Sequence, residues 1–87
     1  MECNPPHAYV STDPLYPFDA RGIAPRFRQA AILGAVAALH QGETMRIVND
    51  HDPLPLLQQL RVCYPDEIAI IYCERGPAGV VIDFVRH

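Results

Sequence analysis

Residues 43–62 read ETMRIVNDHDPLPLLQQLRV, and the period of the apolar residues changes partway through them. Met45 and Ile47 alternate with Thr44, Arg46 and Val48, the two-residue period of a half-buried strand, predicted over Glu43–Val48. From Leu54 to Val62 the apolar side chains that matter are Leu56, Leu57 and Leu60, which share one side of a helix. The joint is Asn49-Asp50-His51-Asp52-Pro53, a polar turn in which Asp52 followed by Pro53 reads as an N-cap and a first-turn proline. A strand passing through a tight turn into a helix is half of a βαβ unit.

The flanking segments extend this reading. Upstream, a strand is predicted at Leu15–Ala20, where Leu15, Pro17 and Asp19 alternate with Tyr16, Phe18 and Ala20. Pro17 has no amide to give a ladder and places that strand at an edge. Arg21-Gly22 turns the chain and Pro25 opens a helix through FRQAAILGAVAALHQ, with Phe27 starting its apolar material and Ile32, Ala35, Val36 and Leu39 at helical spacing. Gly34 among alanines predicts close approach to a sheet, and Gly42 a C′ stop. Downstream, Pro65-Asp66 ends the second helix, and Ile68–Cys73 and Val80–Val85 pair as a hairpin through Gly76-Pro77-Ala78-Gly79. The order β-α-β-α-β-β predicts an α+β fold, a two-layer α/β sandwich with two helices on one face of a four-stranded mixed sheet. Residues 1–14, with three prolines and no period, read as an arm, and residues 15–87 as the single domain.

Composition narrows the function classes. The 87 residues are 49% hydrophobic and 20% charged, which supplies a core and argues against disorder. A core in a domain of this size is worth roughly 3–5 kcal/mol. The net charge of −3, with seven arginines and no lysine, argues against nucleic acid as a partner. No apolar run approaches the ~20 residues that span a bilayer, and MECNPPHAYV lacks the pattern of a signal peptide. Three cysteines at spacings unlike a disulfide framework or zinc knuckle point to a reduced, cytoplasmic protein. No CxxC, GxSxG, HExxH or P-loop motif occurs, and Ser11 is the only serine, so hydrolase and nucleotide-binding readings have no support.

Two clusters carry candidate chemistry. Arg21, Arg26 and Arg28 surround the start of the first helix, whose cap position is Ala24, and together with its free amides suggest a site for a small anion. The competing reading pairs these arginines with acids such as Asp19 or Glu43. The second cluster is Asn49, Asp50 and His51, at the C-terminal end of a strand where open α/β sheets bind ligands. His51 between two carboxylates suits an acid–base group, or a ligand for a divalent metal with Asp50 as its partner; Asn49 and Asp50 are also ordinary turn formers. If both βα units run parallel, the two clusters meet at one sheet edge. Cys63 and Cys73 are expected to be small buried hydrophobes, and Cys3 and His7 lie in the arm.

FDARGIAPRFRQAAIL, LHQGETMRIVNDHDPLPLLQQL and the closing ERGP resemble the bacterial domain of unknown function family 2249, over about residues 15–86, with NDHDP-x-PL as the specific part. That family is similar in turn to the TusA/SirA sulfur carriers, which implies their two-layer β-α-β-α-β-β fold. In those carriers a Cys-Pro pair opens the first helix and the cysteine accepts a persulfide sulfur. The corresponding pair here is Ala24-Pro25, which cannot carry sulfur. Family members often have Arg-His where this chain has Arg28-Gln29, so a metal site shared between that histidine and His51 would lack a ligand here. Fusions of relatives to haemerythrin-like domains imply a redox setting.

The first functional expectation is a non-enzymatic binding or adaptor module that presents Arg21, Arg26, Arg28, Asn49, Asp50 and His51 to a protein partner or small anion. The second is a metal-binding or redox accessory protein with His51 as a ligand, and the third a sulfur-transfer component, which Ala24 argues against. Neither nucleic acid nor membrane is expected as a partner, and exposed hairpin edges allow a monomer or a weak dimer.

Overall fold

The structure, a computed structural model, describes residues 14–87; the expected arm lies outside them except for Pro14, and Cys3 and His7 with it. The elements are β1 (Leu15–Asp19), a 3-10 turn (Ala20–Gly22), α1 (Pro25–Ala38), β2 (Thr44–Asn49), α2 (Leu54–Cys63), β3 (Ile68–Gly76) and β4 (Gly79–Arg86). The sheet order is β1-β2-β4-β3. β1 and β2 are parallel, and β4 is antiparallel to both β2 and β3. β2 and β3 therefore also run the same way, with β4 inserted between them. α1 and α2 each connect parallel strands while stepping in the same direction across the sheet, so right-handed crossovers put both on one face. The result is the expected α+β arrangement of two helices on a four-stranded mixed sheet.

Alternation along β2 and β4 separates the faces. Met45, Ile47, Val80, Ile82 and Phe84 are buried beneath Ile32 and Val36 of α1 and the predicted Leu56, Leu57 and Leu60 stripe of α2. Thr44, Arg46, Val48, Val81, Asp83 and Val85 take the opposite, open face and are half-buried. There Arg46 donates to both oxygens of Asp83, at 2.7 and 2.9 Å, a bidentate pair that raises the guanidinium pKa further. Thr44 N–H donates to Pro14 C=O at 3.1 Å. Backbone groups of Tyr16 and Phe18 thus face β2, and those of Leu15, Pro17 and Asp19 face outward. Pro17 costs the ladder nothing and leaves the outer edge short of a donor, the position expected for a strand proline.

Several local expectations are corrected. The first strand ends at Asp19, and Ala20 belongs to the 3-10 turn. α1 ends at Ala38 because Leu39 turns extended, with its N–H on Val36 C=O, and so stays in the core. Gly42 is therefore not a C′ residue; at φ 91° it serves the following turn, its N–H bonded to Arg86 C=O at 2.7 Å. Gly34 faces solvent, where a Cβ would meet nothing within 4 Å, since Ile32 and Val36 supply the contact with the sheet. Phe27 is exposed, with the Arg26 guanidinium 4.6 Å above its ring. Cys63 and Cys73 are exposed free thiols, not core residues. Cys63 ends α2, and Cys73 falls at a register shift between Tyr72 and Glu74, on the open face with its Sγ 3.8 Å from Arg46. Desolvation by its neighbours and the Asp83 carboxylate push the Cys73 thiol pKa up. Among the described residues no helix is long and apolar enough to cross a membrane.

Candidate functional site

Because β1, β2 and β3 are parallel, their C-terminal ends share one edge of the sheet. The start of α1, the Asn49–Asp52 loop and the turn between β3 and β4 all lie there, as the parallel reading of the two βα units required.

The loop is fastened from three directions. Arg28 donates from Nε to Ile23 C=O at 2.7 Å, from Nη2 to Arg21 C=O at 3.2 Å and from Nη1 to both Asp50 oxygens at 3.0 and 3.2 Å. It ties the entry to α1 onto the end of β2. On the other flank Asp52 accepts from the Tyr72 hydroxyl at 2.6 Å and pairs with Arg75 at 3.1 Å, while Arg75 stacks 4.6 Å over the Tyr72 ring. Burial, then the bond to Asp52, raises the Tyr72 pKa. The expected cap is thus corrected: Pro53 is the N-cap of α2, without a side-chain cap bond. A hydroxyl and a guanidinium offer the Asp52 carboxylate stronger partners than helix amides. From below, Gly79 at φ 147° lies so close that a Cβ would be 2.4 Å from Asn49 C=O. Asn49 itself is buried, and its amide donates to His51 C=O at 2.9 Å.

What remains is His51, whose side chain is 68% exposed. Its Nδ1 is 2.7 Å from Asp50 Oδ1. That bond, with Arg28 behind it, lowers the Asp50 pKa. An ionised carboxylate only accepts, so Nδ1 carries the proton and Nε2 of the neutral ring keeps its lone pair. Beside it a cleft of about 170 Å³ opens between the starts of the helices, lined by Pro25, Gln29 and Ile32 of α1, His51, and Pro53, Pro55 and Leu56 on the α2 side. Neither helix has a side-chain cap.

The structure brings Arg21, Arg28, Asn49, Asp50 and His51 together and leaves Arg26 apart on Phe27. The arginines are engaged already. Arg21 forms a bidentate pair with Asp19 at 2.9 and 2.8 Å, which lowers the Asp19 pKa to about 2. Gln29 donates to Gln59 of α2 at 2.8 Å. Among the described residues no three His, Cys, Asp or Glu side chains group closely enough to hold a metal ion. Sequence reasoning missed Tyr72, Arg75 and Gly79 as supports of the loop. Arg75 lies in the ERGP string and Gly79 in the hairpin turn, yet neither signals a partner so distant in the chain.

A family model described as "Uncharacterized conserved protein (DUF2249)" matches residues 17–86. The chain belongs to this family. The DUF2249 match begins within β1 and runs to the last residue of β4, so it includes every part of the fastened loop. No curated protein and no solved structure matches the chain.

Proposed function

We propose that this DUF2249 domain is a small, non-enzymatic binding or adaptor module that presents His51 to a protein partner. One observation carries the reading: within Asn49–Asp52 the other polar side chains are spent on Arg28, Tyr72, Arg75 and the loop backbone, while His51 stands exposed on a fixed support. A preorganised side chain loses little freedom when it is bound, which favours recognition. The cleft beside it offers a shallow, largely apolar seat between the starts of the two helices. The arginines add less than their number suggests, because Arg21 and Arg28 are neutralised by Asp19 and Asp50. We place the domain in the reducing cytoplasm of a bacterium, in keeping with two exposed free thiols. Ala24 at the start of α1 leaves sulfur transfer of the TusA kind without its acceptor atom.

The contact between Asp50 and His51 Nδ1 favours one second reading, in which Nε2 donates to a divalent metal whose other ligands come from a partner. Metal-bound histidines are oriented by a carboxylate in this way. The test compares proteins co-purifying with the native chain, with His51→Ala and with the exposed control Gln58→Ala, alongside an amide NMR titration with zinc and ferrous ions. A partner lost only in His51→Ala supports the module; partners retained by His51→Ala refute it. Shifts centred on Asp50–Asp52 at stoichiometric metal, absent in His51→Ala, would establish the metal reading.

A further inference from the structure

The two edges of the sheet are built differently. On β1 the outward residues are Leu15, Pro17 and Asp19, and Pro17 deletes a donor in the middle of the row. On β3, His87 N–H donates to Glu67 C=O at 2.9 Å, and the antiparallel register continues through Ala69↔Val85 and Ile71↔Asp83. Glu67, Ala69 and Ile71 therefore direct their backbone groups at β4, and Ile68, Ile70 and Tyr72 direct theirs away from the sheet. Among the described residues no backbone partner meets those outward groups.

Nothing along residues 68–72 blunts this edge. The stretch IAIIY holds no proline and no charge, the chain holds no lysine, and the irregularity that ends the flat part comes only after Tyr72. Natural edges are protected by those devices, and an edge without them is a template for another strand. Ile71 is also half exposed on the open face.

We propose that β3 pairs antiparallel with β3 of a second copy of this chain, about a two-fold axis at Ile70, to give a continuous eight-stranded sheet. One register satisfies the geometry. With Ile70 opposite Ile70 of the partner subunit, Ile68 stands opposite Tyr72 of the partner subunit, and the relation repeats in reverse. All three outward residues on each side then exchange both of their backbone bonds. A slip of one step in either direction, which keeps outward residues facing each other, pairs one of the three with turn residue Asp66 or with Glu74, whose backbone is already committed to β4. The same register sets Ala69 opposite Ile71 of the partner subunit on the open face, so every cross-strand pair between residues 68 and 72 is apolar. A self-complementary patch of this kind closes into a dimer and does not propagate.

The test is amide hydrogen exchange with sedimentation equilibrium over a series of protein concentrations. The dimer requires that mass rise from 9.7 kDa towards twice that value, and that protection of the Ile68, Ile70 and Tyr72 amides rise in step. Ala69 and Ile71, bonded to β4, stay protected throughout. Ala69→Glu/Ile71→Glu places carboxylates directly opposite each other across the seam and is expected to abolish the mass increase. Its β4 amides report independently that the variant has folded. A constant mass of 9.7 kDa with fast exchange at Ile68, Ile70 and Tyr72 overturns the proposal. Protection at those amides that does not depend on concentration overturns it too, as does a folded double variant that still dimerises.

Discussion

β2 and β4 present two unlike surfaces made from alternate residues of the same segments. Towards the helices they offer Met45, Ile47, Val80, Ile82 and Phe84, sealed from water, with Asn49 as the buried polar residue at the functional edge. Away from the helices, Arg46 and Asp83 sit among valines, the guanidinium partly in solvent and the carboxylate largely covered. The covered face provides the hydrophobic driving force and fixes the position of the Asn49 end of β2. The open face adds an ion pair whose attraction is offset by desolvation. Stability is thus concentrated on one face, and the loop that carries His51 grows directly out of it.

Phe84→Ala is the strongest test of this difference. Phe84 is completely buried, and removing its ring costs about 3–5 kcal/mol, as much as a small core of this kind provides. Circular dichroism under urea is expected to show an unfolded or barely folded variant; a loss below ~1 kcal/mol would mean that the face is not sealed. Gly79→Ala comes next, because its Cβ would strike Asn49 C=O at 2.4 Å from a backbone at φ 147°. A cost of about 1–3 kcal/mol is expected, with amide shifts concentrated at Asn49–His51. Shifts confined to the β3–β4 turn would show that this contact does not support the loop.

Smaller effects belong to the open face. Arg46→Met leaves a largely covered Asp83 carboxylate without its cation and is expected to cost about 1 kcal/mol, between the values for exposed and buried pairs. Arg46→Met/Asp83→Leu removes both charges, and its urea midpoint should return close to that of the native chain. A double variant as unstable as the single one would show a net stabilising pair. The mildest effect is an acid dependence from the rim. Asp19, at about 2, and Asp50 have folded pKa values below the ordinary carboxylate range. Their contribution is complete above ~4 and is lost as pH falls towards 2. Unfolding midpoints taken between pH 5 and pH 2 should fall, and Asp50→Asn should flatten part of that slope.

Much of the fold was legible because it rests on local period. Leu56, Leu57 and Leu60, the alternation of Met45 and Ile47, and the prolines at Pro17 and Pro25 identify elements from neighbours within a few residues. The candidate site was legible in its location and less so in its roles. Arg28, Asp50 and His51 do meet, but Arg28 is consumed as a strut, and Asp52 forgoes the cap that its position before Pro53 suggested.

The amino-acid sequence by itself determined the element order, the core stripe of α2, the edge position of β1 and the family. Each depends on periodicity, on backbone chemistry intrinsic to one residue, or on a contiguous motif. Tertiary structure alone decided that Tyr72 and Arg75 take Asp52, that Gly79 presses on Asn49 and that the Cys73 thiol stands beside Arg46 on the open face. Only the tertiary structure, too, inserts β4 between β2 and β3 and so leaves β3 at an open edge. Those outcomes are competitions between partners twenty or more residues apart, or consequences of strand order. A hydrogen bond goes to the partner the fold brings within reach, and no local pattern records which one that is.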